Sequence, residues 1–145
     1  MANEQIIRQE IEACARYLEL PLNIASVQLG QWRMLPQALR GAYVLFDPDR
    51  IPNVIYVGSG RLRARLETHW GKAIRGERSD VVHPKAWQAL RRQHVCEPSA
   101  WRVLFFELSG ETLEYAMEAL LIYRLQPLTN RQSFRDWHSH RLAMC

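Results

Sequence analysis

Cysteine is scarce in this chain. Cys14, Cys96 and Cys145 are the only three in 145 residues, an odd number, widely separated and outside any CxxC arrangement. That excludes a disulfide framework and a cysteine-based structural zinc site. Long apolar runs are also missing: nothing approaches the roughly 18 to 20 residues of a membrane span. The opening Met1-Ala2-Asn3-Glu4-Gln5 lacks the basic-then-apolar pattern of a secretion signal. A cytoplasmic protein with access to the nucleoid or nucleus, and no membrane association, is the expectation. There is no internal repeat and no low-complexity tract, so solenoid and linker architectures are excluded. At this length, with 48% apolar residues, the chain reads as one domain with a core of its own.

Acidic residues are in the minority, 15 against 19 Lys and Arg, and the net charge is +4. The average conceals an uneven distribution. Between Arg61 and Cys96 stand nine basic residues, Arg61, Arg63, Arg65, Lys72, Arg75, Arg78, Lys85, Arg91 and Arg92, against Glu67, Glu77 and Asp80. That segment carries +6 and the remainder −2. Trp70, Trp87, His69, His83 and His94 are interleaved with the basic residues. Such a field suits a polyphosphate ligand such as DNA or RNA, or else forms a solvated basic surface.

The pattern along the chain predicts a leading helix over about Asn3–Leu20, with Ile6, Ile7, Ile11, Ala15 and Leu18 at helical spacing. A connecting stretch broken by Pro21 and Pro36 follows. Gly41–Phe46 and Val54–Val57 are short β-prone runs, the second ended by Gly58-Ser59-Gly60, and together they predict a hairpin. From Arg61 to about Ala73 the period is helical. Leu62, Leu66, Trp70 and Ala73 share one face there, with Arg61, Arg65, His69 and Lys72 on the adjacent face and Arg63 elsewhere. Gly71–Val82 reads as a loop and Pro84–Gln93 as a short basic helix. Trp101–Leu108 is a third strand, and Glu111–Leu125 an amphipathic helix left through Pro127.

Two tripeptides on adjacent predicted strands, Gly41-Ala42-Tyr43 and Tyr56-Val57-Gly58, are followed by Ser59, by Arg65 with His69 four residues on, and by Glu118 in an apolar helix. Asn130 stands about twelve residues after Glu118, with Pro127 between. In this ordered set the chain resembles the GIY-YIG nuclease family, from about Gly41 to Asn130. The fold expectation is α/β: a small three-stranded, largely antiparallel sheet flanked by helices, GIY-YIG-like, with an N-terminal helical extension. The expected divisions are 1–36 for the extension, 37–132 for the nuclease domain and 133–145 for a tail. Ala42 stands where the family has isoleucine, and the interval from Tyr56 to Arg65 is one residue shorter than usual. Arg65, which shares a helical face with His69, is preferred over Arg63.

The resemblance implies a Mg²⁺- or Mn²⁺-dependent endonuclease. Phosphodiester hydrolysis needs an activated water, stabilisation of charge on the phosphoryl oxygens, and help for the leaving oxygen. Glu118 would hold the metal, Arg65 would clamp the phosphoryl oxygens at any pH, and Tyr43 would orient or activate the water. A phenol with an ordinary pKa near 10 serves as a base only beside positive charge. Tyr56, His69 and Asn130 complete the expected catalytic set. Helical periodicity does not choose between Glu118 and Glu114, one turn apart; the family's spacing to Asn130 favours Glu118, with Glu114 as a neighbour in a salt bridge or behind the site. Gly58, Ser59 and Gly60 are expected to let a phosphate approach the backbone. Arg61, Lys72, Arg75, Arg78, Lys85, Arg91 and Arg92 are expected to hold the nucleic acid. DNA is the expected partner, with RNA an alternative and a protein partner or a homodimer as a source of specificity. The rival expectation is a nucleic-acid-binding module of the same fold that does not cut.

Overall fold

The computed structural model describes residues 2–49, 54–75 and 98–127. Helix α1, Ala2–Tyr17, stops earlier than its apolar periodicity predicts. Glu19 takes a left-handed φ of 55°, the Leu20 N–H returns to the Ala15 carbonyl and the Glu19 N–H to that of Arg16. This closure satisfies carbonyls the helix end would otherwise leave bare, and Pro21 prevents continuation.

Four strands follow, β1 (Ala25–Gln28), β2 (Arg40–Phe46), β3 (Val54–Arg61) and β4 (Arg102–Glu107). They form one antiparallel sheet in the order β1-β4-β2-β3. The sheet therefore has four strands where the sequence predicts three. Ala25-Ser26-Val27-Gln28 is a mostly exposed edge strand, without the apolar alternation that marks a half-buried one. It exists because its backbone pairs with Arg102–Phe105.

The glycine-rich segment is a second correction. Gly58-Ser59-Gly60 does not end β3 but continues it, opposite Tyr43, Ala42 and Gly41. Helix α2, Leu62–Arg75, begins at once and runs past Gly71, where a loop is predicted. Gly71 is buried within the helix. The predicted basic helix Pro84–Gln93 and the tail 133–145 lie outside the described residues.

Both faces of the sheet are covered. Ala42, Val44, Phe46, Val57, Leu104 and Phe106 pack against α1, through Ile7, Ile11 and Cys14, and against Met117 and Leu121 of α3 (Glu111–Leu125). Tyr43, Leu45, Ile55 and Val103 face Leu62, Leu66 and Ala73 of α2, and Leu29 and Trp32 of a 3-10 helix, Leu29–Met34. The first 35 residues are thus built into the sheet and its core. A bulge between Leu45 and Phe46 pairs Leu45 with Tyr56 and Phe46 with Val54. It turns both Ile55 and Tyr56 toward α2, re-aiming a side chain as bulges do. Among the described residues no helix is long and apolar enough to cross a membrane.

Gly41 fixes the approach of β2 to β4, since a Cβ there would lie 1.9 Å from the Phe106 carbonyl oxygen. Gly41→Ala must push these strands apart and is expected to cost about 1–3 kcal/mol, the usual range for overpacking. A lowered urea midpoint at unchanged m-value would show it; a wild-type midpoint would contradict this register.

Candidate active site

The site is built on β3, the edge strand beside β2. Tyr43 pairs across the ladder with Gly58, and Tyr56 with Leu45. A Cβ on Gly58 would sit 2.4 Å from the Tyr43 hydroxyl, so the phenol lies over the glycine. Gly58 serves the tyrosine rather than a phosphate. The Tyr43 ring is fully buried, and its hydroxyl is 2.6 Å from His69 Nε2.

His69 comes from α2 and is only 2% exposed, which departs from the surface position its helical face suggests. Tyr56, two residues before Gly58 on the same face of β3, stacks on Tyr43 with ring centroids 6.1 Å apart and planes at 24°. Its ring lies 4.4 Å from that of His69. Three rings from three elements thus form one wall. At its open side Arg65 Nη2 donates to the Tyr56 hydroxyl at 3.4 Å.

From the other face of the sheet comes the carboxylate. Ser59, next to Gly58 and therefore directed oppositely, donates its hydroxyl to Glu118 Oε2 at 2.9 Å. Glu118 on α3 lies within the field of Arg65. Tyr56, Arg65, Ser59 and Glu118 therefore converge where both faces meet at the sheet edge.

Two pairs of candidates have different surroundings. Glu114 is 2% exposed and is gripped by Arg40, Nε to Oε1 and Nη2 to Oε2, both at 3.1 Å. Its charge is neutralised by a bidentate pair, which leaves Glu118 as the carboxylate that faces the site. Arg63 stacks over the Trp32 ring at 5.8 Å, so Arg65 is the arginine beside the tyrosines. Ser59 acts as a donor to Glu118, not in a backbone cradle. Gly60 has a φ of +119°, strained for any L side chain, where β3 turns into α2. Arg61 is exposed at the end of β3, and Lys72 and Arg75 lie in the last turn of α2. Asn130, Arg78, Lys85, Arg91 and Arg92 lie outside the described residues.

Burial dominates the protonation chemistry. Desolvation pushes the Tyr43 phenol far above its ordinary value, the neighbouring Tyr56 pushes the same way, and the positive charge of Arg65 opposes without prevailing. Tyr43 is held neutral, contrary to the phenolate that local positive charge was expected to favour. Burial likewise raises Glu118, against the Ser59 hydrogen bond and Arg65, with Glu114 adding to the rise. The Glu118 carboxyl is thus partly desolvated.

Among the described residues no group of three or more His, Cys, Asp or Glu side chains could enclose a metal ion. A lone carboxylate does not suit zinc, which takes three or four protein ligands. It does suit Mg²⁺ or Mn²⁺, which keeps waters and shares a site with phosphate oxygens. The residues present fit that ion.

The Arg33–Trp32–Arg63 stack has no counterpart among the sequence expectations. No motif spacing links residues 32 and 63; the only signal in the chain is the adjacency of Trp32 and Arg33.

In an alkaline titration followed by phenolate absorbance, Tyr43→Phe is expected to remove no amplitude below about pH 12, because Tyr43 keeps its proton in the folded state while ordinary phenols ionise near 10. Lost amplitude near pH 10 would show Tyr43 to be solvated. For Glu118 the sign follows from its raised pKa. Between the unfolded value near 4.5 and the higher folded value the native state binds more protons, so stability falls as pH rises through that window. Glu118→Gln, which can still accept from Ser59, is expected to raise Tm at pH 7. The gain should shrink below pH 4.5, where the carboxyl is protonated in both states; a lower Tm at pH 7 would refute the account. Neither a protein-family model, nor a curated protein, nor a solved structure matches this chain.

Proposed function

We propose that this chain is a Mg²⁺- or Mn²⁺-dependent endonuclease of the GIY-YIG type that hydrolyses phosphodiester bonds in DNA. One observation carries the reading: of two glutamates one turn apart, Arg40 neutralises Glu114, and Glu118 is left at the sheet edge with Arg65 and the stacked tyrosines. A carboxylate, a guanidinium and a phenol hydroxyl at one open edge are the groups a phosphodiester hydrolase requires. Glu118 would hold the metal ion, which when bound supplies Lewis-acid polarisation of the phosphate.

Arg65 keeps its charge throughout the accessible pH range and forks onto non-bridging oxygens, stabilising charge that grows as water attacks phosphorus. Its bond to Tyr56 holds the guanidinium to one side of the cleft and leaves further N–H donors for substrate. Tyr56 presents its hydroxyl to the water or the phosphate. A free Tyr43 phenolate is too costly at a buried position, so Tyr43 acts with His69. As the phenol accepts a proton from the water, its own proton crosses 2.6 Å to Nε2, and no buried negative charge accumulates. His69 then carries the proton that the leaving oxygen requires. RNA is the alternative substrate, and a partner protein or a second copy the alternative source of targeting.

A second reading, a nucleic-acid-binding module that does not cut, is favoured by the complete burial of Tyr43, which keeps bulk water from its hydroxyl. One experiment separates the two. Pure protein is incubated with supercoiled plasmid and with labelled linear, flap, junction and single-stranded DNA, and with RNA, in Mg²⁺ or EDTA. The nuclease reading expects cleavage in Mg²⁺ only. Glu118→Gln should then lose at least about 10²-fold in rate, the scale for removing one electrostatic stabiliser, while still shifting DNA in a gel at low salt. Intact substrates throughout, or unchanged nicking by Glu118→Gln, would overturn it.

A further inference from the structure

The arginines of this protein fall into two populations. On the side of the sheet covered by α1 and α3, Arg8 and Arg102 pair with Glu4, Arg124 with Glu10, and Arg40 with Glu114, and of the described arginines there Arg16 alone, exposed in the last turn of α1, has no carboxylate partner. On the α2 side the arrangement differs. Among the described residues Arg33, Arg61 and Arg63 make no ion pair with a carboxylate, although Glu67 stands one turn beyond Arg63 on the same helix. Arg33 and Arg63, thirty residues apart in sequence, instead lie 5.0 and 5.8 Å from the centroid of one ring, that of Trp32.

That ring is 8% exposed and packed in the core on the α2 side, so it is a fixed platform. Stacking orients a guanidinium through its flat face and leaves the charge and the in-plane N–H donors unused. Two un-neutralised guanidiniums 5.0 and 5.8 Å from one ring centroid present two cationic groups to a single strand, whose charges step about 3.4 Å along the axis. Their place relative to the site is defined by α2. Arg63 and Arg65 lie two residues apart in its first turn, on different sides of the helix, and that turn contains no acid. The positive end of the helix dipole adds to the same field. Arg61, exposed, immediately precedes α2.

We infer that Arg33 and Arg63, stacked on Trp32, form a second phosphate grip that holds the backbone of duplex DNA across the first turn of α2 from Arg65. The inference rests on the DNA-cleaving reading for the identity of its ligand, and adds to it the direction in which DNA leaves the site. Arg33 and Arg63 are positioning residues. They contact phosphates away from the scissile one and act through where they hold the strand.

The test is fluorescence anisotropy of a labelled duplex in EDTA, so that nothing is cut, over a series of KCl concentrations. Each phosphate contact contributes close to 0.9 to the slope of log affinity against log salt. Arg33→Gln and Arg63→Gln should each lower the slope by about 0.9, and the double variant by about 1.8, with affinity falling at every salt concentration. Arg16→Gln, on α1 and equally basic, should change neither. Circular dichroism and Tm identify any variant that has lost its fold, and the two single variants provide independent readings.

A wild-type slope and affinity in the double variant would overturn the inference, as would an equal loss in Arg16→Gln or a loss seen with RNA but not with DNA. A wild type that binds duplex through these arginines yet leaves it whole in Mg²⁺ sinks the nuclease reading alone. Cleavage by wild type with unchanged binding by the double variant sinks the grip alone.

Discussion

The pairing of Tyr43 with Gly58 across β2 and β3 is the constraint on which the site depends. A side chain at residue 58 would occupy the space of the phenol hydroxyl. With it absent, the Tyr43 ring lies flat over the edge strand, meets His69 of α2 and supports Tyr56. Tyr56, two residues before Gly58, shares its face by alternation, and the bulge at Leu45/Phe46 adds Ile55 to the same side. A change of one residue in register would send Tyr43 to the α1 side, and the wall of rings would not form.

A second decision is electrostatic. Glu114 and Glu118 are alike in chemistry and one turn apart, yet Arg40, at the start of β2, reaches only the first. Burial of Glu114 is tolerated because both oxygens are engaged by a guanidinium; an unpaired carboxylate at that depth would be costly. Glu118 has only a hydroxyl partner and a more distant arginine. Burial therefore raises its pKa, which makes its charged form unfavourable for the folded state.

The two faces of the sheet are also used differently. On the α1 and α3 side Arg8, Arg40, Arg102 and Arg124 are closed by carboxylates, whereas on the α2 side guanidiniums are oriented by rings: Arg65 at Tyr56, and Arg33 and Arg63 at Trp32. A phenol or indole directs a guanidinium without cancelling its charge. This asymmetry is why the basic excess, ordinary as a total of +4, becomes a directed surface beside the proposed catalytic groups.

Much was legible in the residues themselves. Periodicity determined α2 and α3, the β-prone runs determined β2 and β4, and the ordered tripeptides with Arg65, His69 and Glu118 named the side chains that the fold brings to one edge. The element signals are local, set by alternation, helical spacing or composition, and a linear chain displays such signals directly; the residue set came from the resemblance. β1 was not legible, because Ala25-Ser26-Val27-Gln28 gains its strand character only from hydrogen bonds to β4. Nor was the extent of β3, whose glycines read as a turn until the partner strand required their lack of side chains. The pairing of Glu114 with Arg40, the burial that keeps Tyr43 neutral, and the meeting of Arg33 with Arg63 on Trp32 were decided only by tertiary structure. Each depends on which distant side chain arrives at a given place, and on how much water is excluded when it does. The sequence alone determined the chemical types and their order; the fold assigned charge, protonation and partner to each.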